Sequence, residues 1–456
     1  MSSPPPRHPD PETSDDAQAV EDAPARKNFV LNLFFGRQAS VGSAPLGVLR
    51  LVALGMVFES YDIGLVNAAL KQIAVSIDMS TSDTGFVMAG VRLGGLGVLL
   101  LIPLADIIGR RRMFLVSLVG MSVGTCLTGL TQTQEQFLLL QLVTRAFMLT
   151  GAALSVVILV EEFPTGQRGA ALGLMAVLGG IGYGLGALLY GAVDYLPYGW
   201  RALYLIGIAP LALLPFFRRS LRETRRFEQH AEQQKRSQED QRGASASLAR
   251  WLKPLVELAR THPRRVTTVG LAGLFGAMGS IAVFQYTSYF VQEAHGWAPG
   301  QYSLLVLGGG LIGQFGNVLG GRGSDHFGRR KIGFGALAIA PVFATLFFTG
   351  PSSVLVISWG LYVFCMSAGD VVIRALSTEL FPTSHRGSSG GALIAVQSLG
   401  FAGGLLLFAF GTDSVGDLGR VVSWVSLSSV AAGACLLLLP ETHREELETI
   451  SSSEAS

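Results

Sequence analysis

The stretch Asp106-Ile107-Ile108-Gly109-Arg110-Arg111-Arg112 returns 219 residues later as Asp325-His326-Phe327-Gly328-Arg329-Arg330-Lys331. Each copy places an acidic residue, a glycine and three basic residues between two long apolar runs. Two further pairs recur at an offset of 218: Glu161 with Arg168 matches Glu379 with Arg386, and Glu223-Thr224 matches Glu441-Thr442. Three motif pairs at nearly one spacing indicate that the second half of the chain duplicates the first.

The composition around these motifs is that of a membrane protein. Charged residues make up 14% of the 456 positions, against about 25% in an ordinary globular protein, and the mean hydropathy is +0.45. Of the 66 charged residues, 35 lie in 1–45, 218–265 and 440–456. This distribution excludes a soluble enzyme, a disordered scaffold and a nucleic-acid-binding protein, and a net charge of +2 gives no reason to expect a polyanionic partner.

A helix needs about 20 mostly apolar residues to cross a bilayer, because lipid offers unpaired backbone groups no partner. Twelve such runs are present: 46–68, 84–104, 113–131, 136–158, 169–193, 199–217, 266–290, 300–321, 332–350, 353–375, 388–411 and 420–439. We predict an all-α membrane protein with twelve transmembrane helices in two pseudo-symmetric six-helix bundles, 46–217 and 266–439. A disordered N-terminal tail (1–45), a central loop (218–265) and a C-terminal tail (440–456) complete the predicted organisation.

Lys and Arg in short loops predict the orientation, because these residues accumulate on the cytoplasmic side of a membrane. They follow the second, fourth, eighth and tenth runs, and 13 more lie in 218–265. The loops at the other ends, 131–136 and 350–353, contain no Lys or Arg. Both termini and the central loop are therefore predicted to be cytoplasmic, in a protein of the plasma (cytoplasmic) membrane.

The duplicated Asp-x-x-Gly-Arg-Arg-Arg/Lys loops resemble the loop signature of the major facilitator superfamily, and the resemblance extends from about residue 46 to 448. It implies a secondary transporter. The segments PETHREELE (440–448) and LRETRRF (221–227) are similar to the sugar-porter-like branch. Phe58-Glu59-Ser60-Tyr61-Asp62 is similar to the Asp-Gly-x-Asp element of aromatic-acid and metabolite proton symporters, with Glu and Ser substituted. The fifth run lacks the Gly-Pro step of drug–proton antiporters, which argues against a drug exporter.

Charged side chains inside the predicted spans are the first candidates for chemistry. A charge at bilayer depth costs roughly 3 kcal/mol or more and therefore usually faces a cavity or a partner. Glu59 and Asp62 are three residues apart and share one face of the first span. We predict that Asp62 carries the coupling proton and that Glu59 assists, because a carboxylate can take a proton when its arginine turns to a substrate anion. The alternative is that both carboxylates only neutralise Arg145 or Arg92 and hold the bundle together.

The remaining polar residues of the spans predict the substrate site. Arg145 in the fourth span is the first choice for a substrate carboxylate or for the counter-charge, and Arg92 in the second span is the next. Amide and phenol side chains that can hydrogen-bond an organic ligand complete the set: Tyr61, Tyr183, Gln285, Tyr286, Tyr289, Gln314, Asn317 and Gln397. An interhelical hydrogen bond is the alternative role for each of these eight.

The resemblance implies a gating role for the duplicated motifs. Asp106 and Asp325 would face a neighbouring helix N-terminus and nearby arginines, and so stabilise the outward-open state. The same networks are predicted to include Arg110, Glu161, Arg168, Arg329, Glu379 and Arg386. Asp370 and Arg374, four residues apart in the tenth span, are predicted to form a structural or gating pair, with substrate contact as the alternative. The alternative is that the basic clusters only determine topology.

These residues predict a secondary active transporter that moves a small organic anion, an aromatic or other carboxylate, together with protons by alternating access. A sugar or polyol proton symporter, a proton-coupled exporter of a secondary metabolite and a non-transporting receptor are the alternatives. An enzyme is disfavoured because all seven histidines lie in tails or loops. We expect no cofactor other than the proton gradient as energy source, no metal, no nucleic-acid partner and a monomer whose partners are its substrate, protons and the lipid bilayer.

Overall fold

The computed structural model describes residues 43–163, 167–215, 256–257, 259–381 and 386–442, and only the backbone at 43–46, 106–107, 168–170, 378 and 386–390. Most of the predicted tails and of the predicted central loop lies outside these ranges. The predicted gating side chains of Asp106, Arg168 and Arg386 lie outside them as well.

The described residues form helices in the order that the apolar runs predict. We number them α1 to α12, and four of them include a 3-10 turn or a break: α1 Ser43–Ser76; α2 Thr81–Leu93 and Val98–Ile108, joined by Gly94–Gly97; α3 Arg110–Thr128; α4 Gln134–Glu162; α5 Arg168–Tyr190; α6 Trp200–Leu205 and Ala209–Ala212, joined by Ile206–Ile208; α7 Pro263–Ala294; α8 Pro299–Phe327; α9 Arg329–Thr349; α10 Leu355–Glu379, preceded by Ser352–Val354; α11 Arg386–Val415; α12 Leu418–Ser426 and Ser428–Leu437. We call α1–α6 the N-half and α7–α12 the C-half.

Helix length and composition agree with a membrane-spanning chain. Within the described ranges, nine helices are long and apolar enough to cross a bilayer, and the segment Trp200–Ala212 of α6 is a shorter apolar helix. The first predicted span ends too early, because α1 continues from residue 68 to Ser76. Its last turns contain polar residues, including Lys71 and Gln72, that pair with side chains of α7. These contacts keep in the helix a polar segment that hydropathy alone excludes.

The duplication seen in the motifs is present in the backbone. Gly109 ends α2 with φ 103° and ψ 142°, and Gly328 ends α8 with φ 101° and ψ 137°. Side chains other than glycine rarely adopt such a positive φ, so both loops need glycine to turn into the next helix. In each loop the glycine N–H donates to the carbonyl four residues earlier, Ala105 and Ser324 respectively. The two motifs are therefore structural repeats as well as sequence repeats.

Glycines bring matching helix pairs into close contact in the two halves. On α5, a Cβ added to Gly182 would lie 2.2 Å from the carbonyl oxygen of Val57 in α1. On α11, a Cβ added to Gly400 would lie 2.3 Å from the carbonyl oxygen of Leu274 in α7. Small residues at helix interfaces allow this backbone approach in membranes. The pairs α1–α5 and α7–α11 thus repeat the same packing.

Polar contacts between the halves cluster toward the end where α1 and α7 terminate, which we call the far face; the opposite end is the near face. At the far face, Lys71 pairs with Glu293 at 2.7 Å, and Gln292 accepts from Gln72 and donates to the Tyr190 hydroxyl, both at 2.8 Å. Ser303 of α8 donates to the Ala187 carbonyl at 2.5 Å. These contacts tie α1 and α5 to α7 and α8 and close the far side of the interface.

Candidate functional site

Four charged side chains of the N-half are buried at membrane depth. Glu59 and Asp62 of α1 are 5% and 1% exposed, Arg92 of α2 is 9% exposed and Arg145 of α4 is 3% exposed. The two carboxylates lie on one face of α1, and the two arginines approach from the helices packed beside it. Because burial of unpaired charge is costly, their partners determine what this cluster does.

The carboxylate of Asp62 is only partly satisfied by hydrogen bonds. Thr125 of α3 donates to its Oδ1 at 2.9 Å, and the Gln141 amide of α4 lies close to the carboxylate, but Oδ2 is buried without a hydrogen bond of good geometry. Arg145 attracts both Asp62 and Glu59, yet its Nε and Nη2 atoms are also buried without an acceptor. Buried donors and acceptors left open side by side are rare in proteins. The cluster therefore has capacity for a proton, a water molecule or a ligand.

Arg92 reaches across the interface between the halves. Its Nη2 donates to Oε1 of Gln285 in α7 at 2.7 Å, and Oδ1 of Asn67 in α1 lies 3.5 Å away. The guanidinium lies 5.9 Å from the ring centroid of Phe401 in α11. Asn67 in turn donates to the Tyr183 hydroxyl at 3.2 Å. Of the two predicted arginines, the second choice, Arg92, is thus the one in contact with the C-half.

The predicted tyrosines of α7 continue this interface toward the far face. The Tyr286 hydroxyl lies 3.0 Å from Oγ1 of Thr84 in α2, and its ring stacks on Phe408 with a centroid distance of 3.7 Å. The Tyr289 hydroxyl lies 3.4 Å from Oγ1 of Thr81. Aromatic rings and hydroxyls of α2, α7 and α11 thus enclose the far side of the Arg92–Gln285 pair.

The other predicted polar residues divide between two places. Tyr61 donates to the Leu203 carbonyl of α6 at 2.8 Å, inside the N-half, so the structure does not bring it to the interface. Gln314 of α8 is exposed, and its Nε2 lies 3.6 Å from a Cβ added to Gly180 of α5. Asn317 and Gln397 are half-buried. Gln314 therefore faces the N-half, on the near side of the interface.

Asp370 and Arg374 of α10 form an ion pair with 2.7 Å between Oδ2 and Nε. Their side chains are 38% and 68% exposed, respectively, although they lie within an apolar helix. Charged groups at this depth usually face water and not acyl chains. We therefore expect the pair to face water on the near side.

The duplicated motifs lie at the near face and pair within their own halves. Arg329 makes two hydrogen bonds to Glu379, at 2.7 and 2.6 Å, and a 2.8 Å ion pair with Asp325. Glu441 accepts from the backbone N–H groups of Arg329 and Arg330. In the N-half, Nε of Arg110 lies 3.3 Å from Glu161. The Arg329–Glu379 pair is bidentate, which is a strong arrangement for an arginine and a carboxylate.

Several residues of the site carry no signal in the sequence. Asn67, Thr84, Thr125 and Phe401 are single residues of common types inside apolar runs, and a single polar residue has no periodicity from which its orientation could be inferred. The charged residues could be found because charge is rare in a span. Among the described residues, no three His, Cys, Asp or Glu side chains are grouped to bind a metal ion.

A family model described as Major Facilitator Superfamily matches residues 52–330 and 269–455. The chain belongs to the Major Facilitator Superfamily. This major facilitator protein is 25% identical over 377 residues to the "Cis,cis-muconate transport protein" of Acinetobacter baylyi, a match that covers 80% of this chain and 87% of the relative. It is 26% identical to the "Gallate transporter" of Pseudomonas putida, over 87% of this chain and 91% of the relative.

A solved structure described as a D-xylose-proton symporter has the same fold. It matches this major facilitator chain with a TM-score of 0.71 over 88% of this chain and 99% of the symporter, at 17% identity. The fold predicted from sequence, twelve helices in two six-helix bundles, is thereby confirmed. The chain is an integral membrane protein of a transporter family.

Proposed function

We propose that this transporter is a proton-coupled symporter of a small organic anion, placed in the plasma membrane with both termini in the cytoplasm. The observation that carries the proposal is the surplus of buried donors where the halves meet. Nε of Arg92 and Nε2 of Gln285 are both buried and have no hydrogen-bond partner. Two open donors, one of them cationic, favour an acceptor with negative charge, and a carboxylate fits this description.

The position of these donors supports a transport role. Carriers of this architecture bind cargo between the two halves, near the bilayer midplane. Arg92 comes from the N-half and Gln285 from the C-half, so one carboxylate between them would contact both halves at once. Phe401 and the stacked pair Tyr286–Phe408 supply apolar and aromatic surface for the body of the anion. An aromatic or unsaturated carboxylate would use both features.

Proton coupling is supported by the carboxylates of α1. Oδ2 of Asp62 is buried without a well-placed donor, and a protonated carboxyl group would supply its own. Arg145 provides the counter-charge when Asp62 is ionised. Asp62 would therefore alternate between a protonated, neutral form and an ionised form that attracts Arg145. The alternative, in which these charges only hold the N-half together, leaves open why Arg145 has two donors without acceptors.

The relatives point in the same direction. Muconate and gallate are both carboxylates, and the two relatives named for them match this chain over most of its length. A sugar or polyol symporter is the second candidate, because Gln314 offers a neutral hydrogen-bonding group that faces the N-half, and Asn317 and Gln397 are further half-buried amides. Neutral amides suit the hydroxyl groups of a sugar, but a sugar would leave the positive charge of the buried Arg92 without a partner.

The purified transporter in proteoliposomes tests the proposal. Uptake of radiolabelled gallate, cis,cis-muconate, benzoate, D-glucose and myo-inositol is measured with and without an inward proton gradient. We expect accumulation of at least one carboxylate, dependent on the gradient and absent from empty liposomes. Gradient-driven uptake of the sugars or of inositol alone would replace the anion by the second candidate. Carboxylate uptake that ignores the gradient would contradict proton coupling.

A further inference from the structure

A small cavity lies inside the N-half, beside Glu59 and away from the Arg92–Gln285 contact. Its volume is about 10 Å³, and residues of α1, α3 and α4 line it. Polar atoms are provided by Glu59, Ser117 and Ser155, and Gly151 leaves part of the space open. A cavity of this size holds about one water molecule, provided that polar groups are present to bind it.

The lining supplies those polar groups. Ser117 of α3 is buried, and its hydroxyl has no hydrogen-bond partner, which is unusual for a buried oxygen. Ser155 of α4 donates to the Gly151 carbonyl and keeps its own lone pairs for an incoming donor. The carboxylate of Glu59 is the third group. A single water would satisfy the Ser117 hydroxyl and reach the two to four partners that buried waters have.

The cavity lies on the near side of Glu59. Its α1 residue Gly55 precedes Glu59, and its α3 residues follow closely on Arg110, where α3 begins at the near face. Its α4 residues approach Glu162, where α4 ends at the same face. The lining comes only from α1, α3 and α4, so the cavity is part of the N-half and not of the interface between the halves.

The charges that face Glu59 are few. Arg145 of α4 attracts it, and Asp62, one turn further along α1, repels it. The α3 residues that line the cavity, among them Ser117, Leu118 and Met121, are uncharged. Within the cavity a proton therefore meets no charge on α3, only the Ser117 hydroxyl; Arg110, Arg111 and Arg112 lie at the near end of the same helix.

We propose that Ser117 holds a water molecule through which Glu59 exchanges protons with the near face, by a route separate from the substrate interface. The water gives one proton to the Glu59 carboxylate and takes one from a hydronium on its near side, so the water is regenerated; release runs in reverse. This inference rests on the proposed proton coupling. It adds that substrate and proton leave the carrier by different routes.

Infrared spectroscopy of the full chain in lipid vesicles tests the inference without a substrate. The carboxyl band of protonated Glu59 is identified by its loss in Glu59→Gln, and its exchange rate is followed after a change from H₂O to D₂O. We expect Ser117→Ala to slow the exchange about tenfold, the effect of losing one hydrogen bond that holds the water. Gly151→Ala is the second variant. Its new Cβ would lie 3.7 Å from that of Ser117, so the methyl group fits and fills the space of the water.

Ser122→Ala is the matched control. Ser122 is on the same helix, is buried and also has a hydroxyl without a partner, but it does not line the cavity. In this variant the Glu59 carboxyl group should exchange at the same rate as in the unmodified protein. Equal rates in Ser117→Ala, Gly151→Ala and the unmodified protein would overturn the inference, as would the absence of any Glu59 carboxyl band at every pH tested. Neither result touches the proposed function, which is tested separately by the gradient-driven uptake of a carboxylate.

Discussion

The N-half and the C-half pack their helices in the same way but bury different side chains. The contact of Gly182 with α1 recurs as the contact of Gly400 with α7, so Val57 corresponds to Leu274. By the same correspondence, the positions of Glu59 and Asp62 are occupied in α7 by Gly276 and Gly279. Glu59, Asp62, Arg92 and Arg145 are buried within the spans of the N-half. In α7 of the C-half the buried charge is Arg265, at the start of the helix, and the interface residues Gln285, Tyr286 and Tyr289 are uncharged.

This difference shows which features of a duplicated chain are constrained by the fold and which by function. The close glycine contacts are required in both halves, because each half packs the same helices together. Charge is required only where it acts: the buried carboxylates of α1 have no counterpart in α7, whereas both halves keep arginine–carboxylate pairs at the near face. Under the proposed function, the N-half supplies the proton carrier and the cation for the substrate carboxylate, and the C-half contacts the substrate, its carboxylate included, through neutral groups.

Replacement of Asp62, a buried charge with no counterpart in α7, is expected to have the largest effect on transport. In Asp62→Asn the side chain keeps its shape but can no longer exchange a proton, so gradient-driven accumulation of gallate or muconate should fall about a hundredfold. Uptake by the unmodified protein should rise as the external pH falls, because protons are a co-substrate, whereas the residual uptake of the variant should not depend on pH. Asp194→Asn, an exposed position in the 3-10 turn Val193–Tyr195, is the control and should leave both properties unchanged. Full pH-dependent accumulation by Asp62→Asn would contradict the assignment.

The next effect concerns the cation at the interface. Arg92→Ala removes a charged hydrogen-bond donor, which is worth about 1.5–3 kcal/mol, so the KM for a carboxylate should rise about tenfold to a hundredfold or more. Arg92→Lys keeps the charge but not the planar geometry and should recover part of the affinity. Arg420→Ala, at an exposed pair with Asp417, should leave the KM unchanged. An unaltered KM in Arg92→Ala would exclude this arginine as the anchor, and Arg145 would then be the one to substitute.

The matching helix contacts of the two halves are tested by adding one methyl group to each half. Gly182→Ala and Gly400→Ala each place a Cβ within 2.3 Å of a carbonyl oxygen, so both should lower the free energy of unfolding by about 1–3 kcal/mol. Gly270→Ala, in α7 with no atom near its added Cβ, should be neutral or stabilising. Thermal unfolding in detergent measures all three. A marked effect in only one half would show that the packing is not equivalent.

The smallest effect is expected in the C-half. Gln285→Leu removes the acceptor of Arg92 and one donor for the substrate but leaves the cation in place, so we expect a loss of about 1.5 kcal/mol, the lower end for a hydrogen bond to a charged group. The KM for the carboxylate should therefore rise only about tenfold. Proton dependence should be intact, which an external pH series will measure. A loss of proton dependence in this variant would place part of the coupling in the C-half and remove the proposed division.

Much of the architecture could be predicted from the residues alone. The twelve apolar runs each correspond to a helix, because a helix that crosses lipid must be continuously apolar. The duplicated loops identify the repeat, and the structure gives Gly109 and Gly328 the same backbone conformation. The least accurate boundary is the end of α1, because Lys71 and Gln72 are kept in the helix by partners 220 or more residues away.

The site could be predicted only in part. The buried charges are evident in the sequence because they are rare at that depth, but which arginine faces the other half is not. Arg92 meets Gln285, and Tyr61 turns instead to the backbone of α6. These outcomes depend on the rotation of each helix about its axis, which packing against its neighbours determines.

Hydropathy, the duplicated loop motifs and the charge of the loops therefore determined the number of helices, their division into two similar halves and the family. These are local or periodic properties, and each residue contributes to them independently of distant partners. The tertiary structure alone decided which side chains meet: Asp62 with Thr125, Arg92 with Gln285, and Ser117 with the cavity beside Glu59. Contacts between helices far apart in the chain depend on crossing geometry and on single polar atoms, for which an apolar sequence contains no repeating signal.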